Sequence, residues 1–183
     1  MSIAIKNFEK AVELFRGYPD GLDCMKQIDE SLVRKAEKAL GLVFPPLYRF
    51  FLKEYGYCGF YGERFYGIAL RSKISGGAFA LSGSPDAIGV TLKNRESYCL
   101  PHNYIIVGDP GYGPYDAIDT SKPDENGECP VVMIQGVFED PETGEKNQWH
   151  EGEQLAPDFG TYLYNQSKQA LENAIENGEV EEV

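Results

Sequence analysis

The stretch that most constrains this chain is Asn103–Asp119, NYIIVGDPGYGPYDAID. Tyr104-Ile105-Ile106-Val107 is a short continuous apolar run of the kind a buried strand needs. Gly108-Asp109-Pro110-Gly111 must then bend the chain, because glycine reaches positive φ freely and proline fixes its own φ. Pro114–Asp119 resumes a strand, with Tyr115 and Ala117 set beside Asp116 and Asp119 around Ile118. Strand, glycine-rich corner, strand is the expectation. It gathers Tyr112, Tyr115, Asp109, Asp116 and Asp119 near one turn, a surface suited to binding. No nucleophile with a neighbouring base stands there.

On the N-terminal side, Ile5, Phe8, Val12 and Phe15 recur at helical spacing from Ser2, and Gly17-Tyr18-Pro19-Asp20-Gly21 ends that helix. Asp29 or Ser31 caps a second helix with an apolar stripe of Leu32, Ala36, Ala39 and Leu40, closed by Gly41. Pro46–Tyr55 reads as a third helix, since proline is tolerated in a first turn. Leu47, Phe50, Phe51 and Tyr55 are expected to face inward. The pattern further predicts strands at Phe65–Leu70 and around 78–81, and a helix from Pro85 to Glu96 capped by Ser84. It then predicts a strand at Cys129–Gln135 with a possible bulge at Gly136, and a last helix opened by Pro157. Connections between the late strands are too short for parallel crossovers. The fold class that follows is α+β: one domain over residues 1–183, a mostly antiparallel sheet of about four to six strands, and flanking helices. Residues 1–26 form a helical extension, and the tail 177–183 is expected to fray.

Charge is unevenly distributed. Residues 1–115 balance at +2, whereas residues 116–183 balance at −14, within a net −12. Twelve acids fall between Asp116 and Asp158. Such a field repels nucleic acid and anionic membranes and attracts basic partners. No apolar run reaches the roughly 18–20 residues of a membrane span, and MSIAIKNFEKAVELF lacks the features of a signal peptide, so a cytoplasmic protein is expected. Cys24, Cys58, Cys99 and Cys129 are far apart, without a C-x-x-C pair, and are read as ordinary thiols. Neither a metal site nor a cofactor is expected: Cys99-Leu-Pro-His102 supplies only two of the about four ligands a structural site needs. His102 and His150 stand outside any catalytic motif, so the chain is read as no enzyme.

Three motifs resemble the SUKH superfamily, which contains fungal regulators of cell-wall synthesis and bacterial immunity proteins. The first is Glu37, Leu40-Gly41, Phe44-Pro45, Tyr48, Phe51-Leu52 and Gly56; the second is Ile105, Gly108-Asp109, Gly111, Tyr115 and Asp119; the third is Phe159, Tyr162-Leu163. They place the family core at about 28–165, with Ser72–Leu100 as a long insert. The resemblance implies a sheet packed on helices, no catalytic activity, and a cytosolic antitoxin that blocks a cognate toxin domain, often a nuclease. A basic nuclease-type partner suits the acidic half, with no direct contact to nucleic acid or membrane and a monomer favoured. The alternatives are a scaffold or regulator that binds a host protein, and a small-molecule or metal-dependent enzyme.

The candidate partner-binding residues are Glu63, Tyr66, Asp109, Tyr112, Tyr115, Asp116, Asp119, Glu139 and Asp140. Each has a plainer reading. Asp109 before Pro-Gly suits a turn. Asp116 and Asp119 cannot face one way along a regular strand. Tyr112 and Tyr115 suit either an interface anchor or the core edge. Trp149 is read as a lid over the core rather than an exposed anchor.

Overall fold

The structure is a computed structural model and describes residues 1–24, 27–68, 86–111, 113–137 and 148–180. The helices are α1 (Ile3–Gly17), α2 (Glu30–Leu40), α3 (Pro46–Tyr55), α4 (Ala87–Tyr98) and α5 (Phe159–Glu176). The strands are β1 (Leu22–Cys24), β2 (Cys58–Phe60), β3 (Glu63–Phe65), β4 (Tyr104–Gly108), β5 (Tyr115–Asp119), β6 (Val131–Val137) and β7 (Gln148–Ala156). The architecture is α+β and every strand pair within a sheet is antiparallel. The strands divide into two sheets, β1-β2-β3 and β4-β5-β6-β7. A bond from Tyr66 N to the Val107 carbonyl, 2.8 Å, ties the end of β3 to β4.

Period-2 alternation sorts the larger sheet. Ile105, Val107, Ile118 and Val131 join the main core with Phe8 and Phe15 of α1, Phe51 of α3 and Phe159 of α5. Ile106, Ala117, Val132 and Ile134 form a second core on the opposite face, with Val90 of α4 and Trp149 packed against it. β4 is thus buried on both faces, which is why it reads as an unbroken apolar run. Trp149 donates from Nε1 to the Tyr98 carbonyl at 2.7 Å and packs beside Tyr115, so it covers this second core.

The helix ends follow local rules. Ser2 accepts from Ile5 N, Asp29 from Ser31 N and Asp158 from Thr161 N, satisfying first-turn donors that no intrahelical carbonyl reaches. α2 ends at Gly41 with φ 69°. In the α2–α3 corner, Glu37 accepts from Phe44 N and from Arg49 Nε, each 3.1 Å, while Arg49 also pairs with Glu30. Glu37, Gly41 and Phe44 are therefore parts of one turn, and their spacing in the sequence is a consequence of its geometry. α1 crosses α5 so closely that a Cβ on Gly160 would collide with the Ala4 carbonyl.

Several elements depart from the sequence reading. Asp86, rather than Ser84, caps α4, accepting from Ile88 N. α2 buries Val33, Ala36 and Leu40 and leaves Ala39 exposed. α3 buries Tyr48, Phe51 and Leu52, with Phe50 50% exposed, because six apolar residues in ten leave the inward face to tertiary contacts. Of the strand expected at Phe65–Leu70, only Phe65 is in a strand, as the last residue of a β2–β3 hairpin turned at Tyr61-Gly62; Gly67 makes an isolated bridge to Asp86, and residues 69–70 lie outside the described residues. The strand expected around 78–81 lies outside the described residues. The register shifts of the β6–β7 pair fall between Val131 and Ile134, not at Gly136. β1, β2 and β7 stand where the sequence pattern predicts no strand.

β1 also corrects the cysteines. Its register sets Cys24 opposite Cys58, with Cα atoms 4.3 Å apart, and the two form a disulfide. Cys99 is free and exposed, and Cys129 is free and buried. The expectation of four separate thiols rested on sequence distance, whereas strand pairing brings residues 34 positions apart into contact.

Two outcomes are expected. Gly160→Ala should lower stability by about 1–3 kcal/mol, read as a lower urea midpoint at unchanged slope. Alkylation of unreduced, denatured protein should label Cys99 and Cys129 alone, with all four labelled after reduction; four labels before reduction would sink the pairing.

Candidate functional site

Five of the nine candidate residues converge where β3 meets the β4–β5 turn. Glu63 and Tyr66 come from β3 and the residue just beyond it, Asp109 from the turn, and Tyr115 and Asp116 from the start of β5. Their charges act on one another: Asp116 on Glu63, Asp109 on both Tyr66 and Asp116, and Glu63 and Tyr115 on Tyr66. Asp109 is exposed, Glu63, Tyr66 and Tyr115 are half-buried, and Asp116 lies beneath at 9% exposure.

Asp116 is held from below. The hydroxyl of Tyr162 on α5 donates to its Oδ2 at 2.7 Å. Gly108 makes room for this bond, since a Cβ there would sit 2.6 Å from the Tyr162 hydroxyl and 3.2 Å from Asp116 Oδ2. Two separate motifs, the glycine of the central strand and the tyrosine of the last helix, thus serve one contact. Sequence reading noted Tyr162 without assigning it a partner; its place three residues after Phe159 on one helical face was the available signal.

Burial governs the electrostatics. It raises the Asp116 carboxyl, with Asp109 adding to the rise and the Tyr162 bond opposing it. It also raises Glu63, which a bond from the Arg64 backbone lowers and Asp116 raises further. Burial, then the Asp109 charge, raises Tyr66. Asp109 accepts from Gly111 N at 2.8 Å, so it shapes the turn while its side chain remains at the surface.

Asp119 belongs elsewhere. It is 1% exposed and accepts from Asn103 Nδ2 at 2.7 Å and from the Ser121 hydroxyl at 2.6 Å. Lys122 bridges it to Glu151 of β7, with distances of 3.0 and 2.8 Å. Burial raises its carboxyl, but the Ser121, Asn103 and Lys122 bonds outweigh that and hold it low. Asp116 and Asp119 therefore do not form one exposed acidic edge: they lie on opposite faces of β5, and both are buried. Tyr112, Glu139 and Asp140, and most of the Ser72–Leu100 insert, lie outside the described residues.

The converged cluster offers carboxylates and aromatic edges, and no nucleophile stands beside a base within it. Among the described residues, no group of three or more His, Cys, Asp or Glu side chains is placed to hold a metal ion. Among the same residues, no helix is long and apolar enough to cross a membrane.

Fold and site together define an antiparallel α+β domain with a carboxylate–tyrosine surface at one end of its sheets. The chain belongs to the SUKH superfamily: a family model described as SMI1-KNR4 cell-wall, SUKH_6, matches residues 30–163. A search of curated proteins gives no match. The matched residues begin at α2 and end inside α5, so they include Glu63, Tyr66, Asp109, Tyr115, Asp116 and Tyr162, while α1 precedes them.

Tyr162→Phe tests the central contact. It should leave a buried acceptor unsatisfied and cost about 1–3 kcal/mol. The Asp116 carboxyl, freed of the bond that lowers it, should titrate higher than in wild type by carbon-13 NMR. The sign for stability follows: a carboxyl whose folded pKa is raised is favoured while protonated. The contribution of Asp116 to stability should then decline as pH rises from about 4 through its folded pKa, and in the variant that decline should extend to higher pH, read as the difference between the two stability–pH profiles.

Proposed function

We propose that the chain is an immunity protein that neutralises a cognate toxin by direct, non-catalytic protein–protein binding. The observation that carries this reading is the family match over residues 30–163. The partner is a basic, nuclease-type toxin domain, because residues 116–183 balance at −14 and phosphate-binding surfaces are basic. Opposed fields speed encounter, and tyrosines at the rim supply rigid apolar area.

The binding surface is centred on Glu63, Tyr66, Asp109 and Tyr115, with Tyr112, Glu139 and Asp140 as its further members. Asp116 acts from beneath, by setting the position and charge of this surface. Asp119 is left out of it, since its bonds are spent inside the fold. A second reading, a regulator that binds a host protein, draws on the cell-wall description of the matched family. A toxin gene directly beside this one favours the first reading, and its absence favours the second.

Asp109→Lys combined with Glu139→Lys and Asp140→Lys should slow association with the product of the adjacent toxin gene. The expected loss is about tenfold or more at low salt, shrinking as salt is raised. Lysine at Asp116 or Asp119 is no test, because burial there would perturb the fold itself. Unchanged association at low salt removes this surface from the reading.

A further inference from the structure

The feature least explained by the fold is the groove between α1 and α3. Phe50 stands 50% exposed although its neighbours Phe51 and Leu52 are fully buried. It meets Phe8 of α1 edge-on, with ring centroids 5.6 Å apart, and Val12 and Leu47 continue the same floor. The groove encloses about 800 Å³. It follows α1 from Ile5 to Arg16, a span of about 16 Å at 1.5 Å per residue, or roughly three helical turns.

Its rim is predominantly acidic. Glu9 and Glu13 of α1 and Glu54 of α3 line it, with Arg16 the cation among the lining residues. Glu9 and Glu13 form no ion pair among the described residues, and Glu54 accepts a 3.4 Å bond from Gln27. At one end lies Glu128, which is 5% exposed. Its Oε1 accepts from Leu47 N at 2.9 Å, capping α3, while its Oε2 has no partner among the described residues. Glu128 thus lines an acid-rimmed apolar groove with a carboxylate of which one oxygen is buried and unpaired, and such a carboxylate favours a cation nearby.

We propose that this groove takes an amphipathic, lysine- or arginine-bearing segment of a partner protein, its apolar side chains on the Phe8–Phe50 floor and its cations along the Glu9, Glu13 and Glu54 rim, toward the Glu128 end. The length favours a segment of about three turns over a small molecule, and an exposed apolar patch rimmed by polar groups marks such a contact. A second copy of this chain would bring a net charge of −12 to an acidic rim, which disfavours it. The site is separate from the Glu63–Asp109 surface and stands without the toxin reading. The half of it that α1 builds lies outside the family-matched residues.

Binding should report on Glu128 directly. Burial pushes its carboxyl up to about 7; the Leu47 backbone bond opposes the rise, and Asp158 of α5 and Asp124 of its own loop add to it. Glu9, Glu13 and Arg16 from α1 and Glu54 and Tyr55 from α3 face the same groove. A partner cation requires the ionised form, so affinity should climb as pH rises through about 7.

The probe is a synthetic helical peptide with leucines on one face and lysines on the other, followed by fluorescence anisotropy against the full chain. Its controls are a version with glutamates in place of lysines and a scrambled version with no apolar face. Phe50→Ser and, separately, Glu9→Lys with Glu13→Lys should each raise Kd by about tenfold, a typical loss for an interface anchor. Glu172→Lys with Glu176→Lys, an equal charge change on α5, should leave Kd within about twofold if contacts are local. Glu128→Gln should remove the rise of affinity between about pH 6 and pH 8 while α3 stays capped. Equal losses from the two charge-reversed pairs, comparable binding of either control peptide, or an unaltered pH profile in Glu128→Gln would overturn the proposal.

Discussion

The fold depends on an aromatic joint between α3, α5 and the sheets. Phe159 lies against Tyr48 and Phe51, with ring centroids at 4.9 and 5.1 Å, and Tyr162 follows one turn later. All four are buried, and large aromatic side chains release much apolar surface from water. Two of them carry hydroxyls into the core, where an unpaired one costs free energy. Tyr48 therefore donates to the Tyr66 carbonyl at 3.1 Å and Tyr162 to Asp116. These two bonds tell the joint where the strands must lie. One runs to the residue after β3, the other to the second residue of β5, so the surface between them is set by the core.

The acidity of the C-terminal half has three separate uses. Some carboxylates are internal braces: Asp119 closes the β5 turn, and Asp158 caps α5. Others stand buried with raised pKa values, as Asp116 does at the sheet end and Glu128 does against the start of α3. Others among the described residues, including Glu153 and Glu125, are at the surface. Net charge shapes the long-range field that a basic partner meets, but it is blind to this division. Only burial and hydrogen bonding decide which acids remain to touch anything.

Local signals were legible where they are redundant. α1 has regular apolar spacing and a serine cap, α3 has its opening prolines, and β4 is apolar because both its faces are covered. β7 was not legible, since GlnTrpHisGluGlyGluGlnLeuAla shows mostly exposed side chains and its order comes from pairing with β6. β1 has three residues and acquires its identity from β2. The Cys24–Cys58 contact and the outward turn of Phe50 depend on those same distant partners.

Of the candidate site, the sequence by itself determined the glycine corner, the residues that flank it and the sign of the field, because turn chemistry and charge are properties of short segments. It also determined family membership, since the motif spacings are those of the α2–α3 corner and the central hairpin. Tertiary structure alone decided which carboxylates face outward. Asp116 and Asp119 sit three residues apart on one strand, yet one meets Tyr162 across the core and the other meets Lys122 and Glu151 on the opposite face. Strand alternation separates them, and only the elements packed on each face give each carboxylate its donor.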